Sequence, residues 1–303
     1  MLIRAGRLVA FPTETVYGLG VNALDKEAVV RIYAVKRRPL TSPLIVHVAS
    51  VAMAKSLVAS WPEAADKLVD KFWPGPLTLV LPTHAIPPIV TAGLPTVGLR
   101  MPAHPIALAL IHAAGVPLAA PSANRFTELS PTTADHVRQS LGSEVDLILD
   151  GGPCRVGIES TVLSLTGDTP VLLRPGGISR IELEAIIGPV ATAAGLDVNF
   201  AGPHPAPGMH LRHYSPRTTL FLSTNGKLPE QGDGIYLRHR HAPSRTNIIV
   251  RQMPEYAVEY AAELYEILHQ ADAGNYQWIA VDVPPETPEW EAVQDRLNRA
   301  ATK

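Results

Sequence analysis

The amino-acid sequence predicts an α/β fold in two units, and three observations lead to that prediction. Short apolar runs rich in β-forming residues alternate with amphipathic stretches from the start of the chain. Between about residues 196 and 216, glycine, proline and histidine crowd together and the alternation stops. The alternation then resumes, and 303 residues are enough for two hydrophobic cores. We therefore expect two layered α/β units joined by an ordered or semi-rigid linker.

The first unit alternates strands with helices. Its predicted strands are residues 8–11, 44–48, 77–81, 97–99, 147–149, 162–165 and 171–173. Asp25 can cap a helix, because its carboxylate can accept hydrogen bonds from the free amides of a first helical turn. Ser130 followed by Pro131 favours the start of another helix.

The second unit is small, with about 85 residues. Its predicted strands are residues 218–222, 234–237, 247–250 and 278–283. Residues 255–271 predict a helix, because its apolar residues recur on one stripe. The predicted boundaries are residues 1–190 for the first unit, 191–217 for the linker and 218–303 for the second unit.

Composition and charge exclude several classes of protein. The hydrophobic share is 46% and the charged share 18%, which is typical of a globular chain. The net charge of -2 argues against a nucleic-acid binder held by bulk electrostatics. Residues 1–47 nevertheless carry seven Lys or Arg against three acidic residues, which indicates a local site for an anionic small molecule.

The chain is predicted to be a cytoplasmic protein. Its apolar runs are too short to span a bilayer, and no charged segment followed by a long apolar one opens the sequence. Cys154 is the single cysteine, so it cannot form an internal disulfide and is interpreted as a small filler residue.

Several catalytic devices are missing from the sequence. It contains no phosphate loop of the Walker type, no serine nucleophile elbow, no paired-histidine zinc helix and no cysteine quartet. Gly18, Gly20 and Ala23 match a dinucleotide-binding spacing, but they follow the predicted strand end at Phe11 too late, and no acidic residue stands near position 43. A dinucleotide site is therefore disfavoured.

Polar clusters instead follow the predicted strands and helices. Residues 11–20 place two hydroxyls and a carboxylate after the first strand, although a capped helix start would also explain them. Arg100 ends a buried-looking strand and would need an anionic partner. The remaining clusters are residues 36–39, 121–124, 157–161 and 173–177. Each also has a structural explanation: cations that favour a helix dipole, a plain turn, a strand end and a surface ion pair, in that order.

The histidines have structural explanations of their own. His47 lies in an apolar run, where a hydrogen-bonded core histidine is more common than a ligand. Four more lie in loops rich in proline and arginine without cysteine or carboxylate companions, and we interpret them as solvated rather than metal-binding: His210, His213, His239 and His241.

Taken together, the clusters closely resemble the family of threonylcarbamoyl-AMP synthases. The matching strings are FPTETVYGLG, KRRP followed by SPLIVHV, FWPGPLTLVL, VGLRMPAHPIA, PSAN, SPT, GIESTV and LLRPGG. They cover residues 7–177 in order, which makes the resemblance specific. PGMHLRHYSP, at residues 207–216, looks like the linker of the two-domain Sua5 type within the Sua5/YrdC/YciO family.

The resemblance implies a fold and a set of site residues. The fold would be a YrdC-like twisted, mixed, open sheet with a deep cavity, followed by a small C-terminal Rossmann-like α/β domain. The implied L-threonine contacts are Thr15, His47, Arg100, Ala120 and Ser160. The implied ATP contacts are Arg38, Ser42, Thr96, Ser122, Asn124, Ser130, Arg174 and Tyr214, with Lys36 and Arg38 at the reacting groups. Position 42 is often asparagine in the family, which this chain replaces with Ser42.

The resemblance also implies an activity. L-threonine, bicarbonate or CO2 and ATP would give threonylcarbamoyl-AMP and pyrophosphate, with Mg²⁺ carried by ATP and no metal held by the protein alone. The product would serve the N6-threonylcarbamoyladenosine modification of tRNAs that read ANN codons, through downstream threonylcarbamoyl-transferase proteins. Direct tRNA binding would be weak at most. The linker would fold over the cavity as a lid and bring Tyr214 to the nucleotide.

Two other functions and one departure from the family pattern stay open. The basic start could belong to an RNA-binding module, although net charge and the lack of an aromatic stacking platform speak against it. The second alternative is a carbamoyl-transfer domain like that of hydrogenase maturation proteins, which share the first-domain pattern but carry acylphosphatase and zinc-finger segments that this sequence lacks. Family members usually have about 15 to 20 residues before the segment that begins here at Met1, so we expect either that an edge element of the sheet is missing or that the start codon is assigned too late.

Overall fold

A ten-stranded mixed sheet forms the first unit in the computed structural model, which describes residues 2–193 and 213–302. Its strands are β1 (Val9–Phe11), β2 (Gly18–Asn22), β3 (Ile45–His47), β4 (Leu77–Pro82), β5 (Thr96–Arg100), β6 (Leu118–Ala119), β7 (Leu147–Ile148), β8 (Thr161–Ser164), β9 (Val171–Arg174) and β10 (Ala191–Thr192). Across the sheet the order is β10-β9-β8-β4-β5-β3-β6-β2-β1-β7.

The sheet mixes parallel and antiparallel pairs. β3 runs parallel to β5 and β4 runs parallel to β8, whereas β4 and β5 are antiparallel. The predicted mixed α/β fold is confirmed. Residues 18–22 correct the sequence analysis, because they were not among the predicted strands and they form β2, antiparallel to β1. Without side chains at Gly18 and Gly20, the apolar signature of a strand is weak.

Seven helices accompany this sheet within the described residues. They are α1 (Lys26–Lys36), α2 (Val51–Lys55), α3 (Glu63–Phe72), α4 (Pro88–Thr91), α5 (Pro105–Ala114), α6 (Ala134–Leu141) and α7 (Arg180–Ile187). The predicted cap of α1 is confirmed, since the Asp25 side chain accepts from the amides of Glu27 and Ala28. The predicted start at Ser130 is wrong: α6 begins at Ala134, and the Thr133 hydroxyl caps it.

A parallel four-stranded sheet forms the second unit. Its strands are β11 (Thr219–Ser223), β12 (Gly234–Arg238), β13 (Ile249–Gln252) and β14 (Trp278–Asp282), in the order β11-β14-β12-β13. Its helices are α8 (Ala257–Ala273) and α9 (Glu291–Ala301). The second α/β unit is confirmed, while the Rossmann-like assignment and the domain boundaries stay predictions. Most of the predicted linker, with His210, lies outside the described residues.

The two units share one hydrophobic cluster. Val16, Leu129 and Ile158 of the first unit pack in the same cluster as Leu264 and Leu268 of α8. A separate, larger cluster fills the space between the first sheet and its helices. Burial of apolar surface in the shared cluster holds α8 against the first unit, and this contact positions the site described below.

Cys154 is buried and unpaired, as expected of a small filler, and burial raises the pKa of its thiol to about 12. Among residues 2–193 and 213–302, no helix combines the length and apolar character needed to cross a membrane.

Candidate active site

A cavity of about 550 Å³, counting its open mouth, lies where the polar clusters of the first unit meet. Its wall combines the loop between β1 and β2, the ends of β3 and β5, the segment after β6 and the start of β8. The lining residues are Thr13, Thr15, Val16, Gly18, Arg38, Ile45, His47, Arg100, Ala120, Pro121, Ser122, Glu159, Ser160, Arg174, His213 and Tyr214. Segments far apart in sequence therefore converge on one space.

The loop after β1 is fixed by its own hydroxyls. Thr13 Oγ1 donates to the carbonyl of Val16 at 2.6 Å and lies 2.8 Å from Thr15 Oγ1. It also accepts from the Val16 amide, so one side chain satisfies a turn that would otherwise bury free backbone groups. This arrangement presents Thr15 to the cavity.

Arg100 and Glu14 form a buried ion pair beside this loop. Nη2 of Arg100 lies 2.7 Å from Oε1 of Glu14, without the alignment of a hydrogen bond. The other oxygen of Glu14 accepts from the Ala103 amide at 3.0 Å, and Arg100 Nε donates to the carbonyl of Gly75. The anionic partner that the sequence required for Arg100 is thus Glu14, which leaves part of the guanidinium facing the cavity.

His47 lies at the end of β3 and faces Arg100 across a parallel strand pair. Burial and the nearby Arg100 charge lower the pKa of His47 to about 3. Its ring packs edge-on against Phe11, with the ring centres 6.2 Å apart, and its Nδ1 is buried without a hydrogen-bond partner. His47 is buried as a core histidine would be, but its neutral imidazole lines the cavity and keeps one polar atom unused.

Arg38 follows the end of α1, where Arg37 adopts a left-handed conformation with φ of 52°. This turn aims the Arg38 guanidinium into the cavity, where Nη2 donates to the carbonyl of Pro43 at 3.0 Å. Its Cζ lies 5.6 Å from the ring centre of Phe126. Burial lowers the pKa of Arg38 to about 10, which leaves the guanidinium positive at neutral pH.

Lys36 lies behind the cavity wall. Its Nζ donates to the carbonyls of Ser122 and Asn124, and thereby ties α1 to the segment after β6. Burial, together with the charge of Arg38, holds the pKa of Lys36 well below its usual range. Lys36 therefore supports the position of Ser122 and does not line the cavity.

Arg174 and Ser160 connect the clusters at residues 157–161 and 173–177. Nε and Nη2 of Arg174 donate to the carbonyl of Ser160 at 3.1 and 2.8 Å, and the Ser160 hydroxyl lies 2.8 Å from that of Thr78. Gly176 permits this approach, because a Cβ there would lie 2.3 Å from the amide nitrogen of Thr161. Burial lowers the pKa of Arg174.

Glu159 is a buried carboxylate in the cavity wall, and the second unit supplies two of its partners. The Ser130 hydroxyl donates to it at 2.5 Å, the Tyr265 hydroxyl of α8 at 3.2 Å and Arg296 Nε of α9 at 2.7 Å. Burial acts to raise the pKa of Glu159, but Arg296 and Arg174 outweigh it and the pKa is lowered. Glu159 is therefore held as an anion.

His213 and Tyr214 close one side of the cavity where the chain re-enters the described part. Both are buried, and His239 is buried as well. The interpretation of His213 and His239 as solvated residues was therefore wrong. Tyr214 has a left-handed φ of 60°, and its ring lies 5.1 Å from Cζ of Arg296. The next residue anchors the segment, since the Ser215 amide donates to the carbonyl of Thr127 at 2.9 Å.

The structure brings most of the sequence-predicted site residues together. Those that line the cavity are Thr15, Arg38, His47, Arg100, Ala120, Ser122, Ser160, Arg174 and Tyr214. Those that do not are Lys36, Ser42, Thr96, Asn124 and Ser130. Ser42 supplies its carbonyl to Arg38 Nε, and Ser130 reaches the cavity wall through Glu159. Thr96 lines a separate small cavity that shares Ile45 with the main one.

Sequence reasoning missed the partners that the second unit contributes. Arg296 and Tyr265 belong to helices whose apolar stripes predict only packing. Glu159 stood inside the string GIESTV, and a carboxylate between Ile158 and Ser160 was a signal for a nearby cation. Residues 2–193 and 213–302 contain no group of three or more His, Cys, Asp or Glu that could hold a metal ion.

Two protein families match this chain, one for each part of its length. Residues 1–176 match the Sua5/YciO/YrdC family, described as telomere recombination, and residues 178–302 match the family described as threonylcarbamoyl-AMP synthase, C-terminal domain. The chain is 42% identical to threonylcarbamoyl-AMP synthase of Bacillus subtilis, over 99% of this chain and 91% of that protein. The Pyrococcus abyssi enzyme of the same name is 40% identical, over 99% and 92% of the two chains.

The crystal structure of Pyrococcus abyssi Sua5 complexed with L-threonine is similar throughout, with a TM-score of 0.90 over 99% of this chain and 92% of that chain. The fold, the cation-lined cavity and these relatives define an enzyme of the nucleotidyltransferase type that uses ATP. The chain belongs to the threonylcarbamoyl-AMP synthase family, with both domains of the Sua5 type.

Proposed function

We propose that this enzyme makes L-threonylcarbamoyl-AMP from L-threonine, bicarbonate or CO2, and ATP, with release of pyrophosphate. One observation carries the proposal. Three buried arginines, Arg38, Arg100 and Arg174, line one cavity together with hydroxyl donors. A carboxylate, a carbamate and a triphosphate must be neutralised together in this reaction, and arginine and hydroxyl groups do that.

The chemistry needs positioning more than a protein nucleophile. The neutral threonine amine adds to the carbon of CO2 and releases a proton to water, or adds to the carbon of bicarbonate with loss of water, and either route forms a carbamate. A carbamate oxygen then attacks the α-phosphorus of ATP, the bond from that phosphorus to the bridging oxygen breaks, and pyrophosphate leaves with the electron pair. Fixed cations that hold both reactants lower the barrier through orientation and charge stabilisation.

L-threonine would occupy the Arg100 side of the cavity. Arg100 is tied to Glu14 through one nitrogen, so its remaining guanidinium face can receive the substrate carboxylate. The neutral His47 ring would accept a hydrogen bond there without adding charge. Thr15 and Ser160 present hydroxyls, and Ala120 leaves room for the substrate methyl group.

ATP would occupy the side lined by Arg38 and Arg174. The two guanidiniums retain their charge and are anchored through backbone carbonyls, so their positions are set before the phosphates arrive. Ser122, whose carbonyl accepts a hydrogen bond from Lys36, and Tyr214 also line the cavity and would contact the nucleotide. Asn124, Ser42, Thr96 and Ser130 would act from behind the lining. The carbonyls of Asn124 and Ser42 accept from Lys36 and Arg38, Thr96 begins the strand that ends at Arg100, and the Ser130 hydroxyl donates to Glu159.

Mg²⁺ would enter with ATP as part of the substrate. The described residues offer no cluster of three potential ligands, and the two carboxylates near the cavity are occupied by Arg100 and Arg296. Phosphate oxygens and water therefore fit the ion better than protein groups do.

We further propose that the product feeds tRNA modification. Threonylcarbamoyl-AMP is a mixed anhydride, so a group-transfer enzyme must consume it before water does. The fitting acceptor is the adenosine next to the anticodon in tRNAs that read ANN codons, with transfer by partner proteins. The net charge of -2 supports only weak direct tRNA binding by this chain, and we place it in the cytoplasm with that pathway.

The test is product formation with labelled carbon. The enzyme is incubated with ATP, Mg²⁺, L-threonine and ¹³C-bicarbonate, and mass spectrometry follows the adenylate while a coupled assay follows pyrophosphate. We expect the label in the adenylate and one pyrophosphate for each product. Omission of bicarbonate from degassed buffer should abolish both signals, and undiminished pyrophosphate release in that buffer would contradict the proposal.

A further inference from the structure

Arg296 is a fully buried cation of the second unit, and all three arms of its guanidinium are in use. Its side chain is 1% exposed. Nε donates to Glu159 at 2.7 Å, Nη2 to the carbonyl of Pro175 at 3.0 Å and Nη1 to Asp295 at 2.6 Å. Its Cζ lies 5.1 Å from the ring centre of Tyr214. One group of α9 thus contacts three segments at the cavity.

The negative charge of Glu159 opposes the binding of anionic substrates, and Arg296 lies where it can neutralise that charge. A buried carboxylate in the wall of a cavity for anionic substrates repels them, and the repulsion is large because little water screens it. Ser130 and Tyr265 donate neutral hydrogen bonds to Glu159, whereas Arg296 supplies a full positive charge. Arg174, the other nearby cation, is needed by the proposed nucleotide site.

The backbone at Gly157 allows a close approach between α8 and the segment that carries Glu159. Gly157 has a φ of 76°, and a Cβ there would lie 2.4 Å from the carbonyl oxygen of Ala261 in α8. The glycine therefore lets α8 dock directly against the segment that carries Glu159. Tyr265, one helical turn further along α8, reaches the carboxylate from that docked position.

We infer that Arg296 is a positioning residue for the nucleotide site, through which the second unit completes the charge balance of the cavity. It neutralises Glu159 and supports the ring of Tyr214, while touching no substrate itself. The inference deepens the proposed function and rests on it. The second unit thereby has a specific role, because nucleotide binding at the cavity of the first unit is weak unless α9 contributes this cation.

Four variants test the inference: Arg296→Met, Arg296→Lys, Glu159→Gln and the double variant Arg296→Met/Glu159→Gln. Steady-state kinetics give KM for ATP and for L-threonine separately, and calorimetry gives the Kd of ATP alone. Arg217→Met is the control, because the Arg217 side chain, at the end of the predicted linker, is 80% exposed and pairs with Asp272 of α8 and not with Glu159. Thermal unfolding of every variant checks that it is folded.

We expect Arg296→Met to raise KM and Kd for ATP at least tenfold, with a smaller change in KM for L-threonine. Arg296→Lys should recover part of the loss, because it keeps the charge without the fork geometry. The double variant should bind ATP more tightly than Arg296→Met, since the unpaired carboxylate is gone. The defect of Arg296→Met should also shrink as pH falls, because an unpaired Glu159 becomes protonated there.

Three outcomes would overturn the inference: an ATP affinity of Arg296→Met equal to that of the wild type, equal losses for both substrates, or no recovery in the double variant. If Arg296→Met does not unfold cooperatively, the neutral variant Arg296→Gln carries the test, and normal ATP affinity in that folded variant also overturns the inference. Absence of turnover in the wild type would instead contradict the proposed function, and ATP calorimetry still tests the role of Arg296.

Discussion

Nη2 of Arg100 lies 2.7 Å from Oε1 of Glu14, and each side chain is only 5% exposed. The pair joins the end of β5 to the loop after β1, two segments that the sequence places 86 positions apart. Glu14 therefore balances the positive charge of Arg100 before any substrate binds. The guanidinium remains fixed in one orientation at the cavity, which is the condition for selective binding of a carboxylate.

Replacing one partner of this ion pair should lower the free energy of unfolding more than replacing both partners does. Arg100→Met leaves the Glu14 carboxylate buried and unpaired, so we expect the free energy of unfolding to fall by about 3–5 kcal/mol. Glu14→Gln combined with Arg100→Met should regain a large part of this loss. Urea denaturation of both variants measures the difference. A double variant as unstable as Arg100→Met would mean that packing, not charge, dominates at this pair.

Arg174 should matter for ATP more than for L-threonine. Arg174→Ala removes a cation and the two hydrogen bonds that its guanidinium donates to the Ser160 carbonyl. We expect KM for ATP to rise about tenfold to a hundredfold, in line with about 1.5–3 kcal/mol for hydrogen bonds to charged groups. Arg180→Ala is the control, because Arg180 forms a partly exposed ion pair within α7. An equal effect from both variants would contradict the role of Arg174.

His47 should make the enzyme less stable in acid. The unfolded chain binds a proton near the ordinary pKa of 6.5, whereas the folded pKa is about 3. The stabilisation from neutral His47 is therefore complete above pH 6.5 and is lost as pH falls toward 3. We expect a loss of about 2–3 kcal/mol between pH 7 and pH 4.5 from this group, at about 1.4 kcal/mol per unit.

Comparison of variants isolates the contribution of His47, because burial also lowers the pKa of His136 and of His269 to about 4. His47→Gln should flatten the acid side of a plot of unfolding free energy against pH, relative to the wild type. His112→Gln, at an exposed position of α5, should leave that curve unchanged. An unaltered acid slope in His47→Gln would show that His47 does not carry the effect.

Gly157→Ala should loosen the contact between the units. The added Cβ would lie 2.4 Å from the Ala261 carbonyl, and the left-handed φ of 76° is itself unfavourable for alanine by about 1 kcal/mol. We expect a lower Tm and a weaker affinity for ATP, because α8 and Tyr265 withdraw from Glu159. Gly188→Ala is the matched control, since Gly188 has a similar φ of 78° and a Cβ there meets open space. Calorimetric unfolding and ATP titration measure both effects.

Much of the fold follows from local pattern. Apolar runs predicted the strands of the second sheet to within two residues at their starts, because their alternation and flanking turns are local properties. The Asp25 cap was predictable for the same reason. β2 was not, since Gly18 and Gly20 carry no side chain to mark a strand, and pairing with β1 decides its conformation.

The sequence by itself determined which polar residues stand at strand and helix ends, and the family resemblance grouped them. Only the tertiary structure decided which charges face each other. Arg296 and Glu159 are 137 positions apart, and no periodicity encodes their contact. It depends on the docking of α8 and α9 against the first unit, where burial of apolar surface brings the two side chains together and low dielectric then requires them to pair.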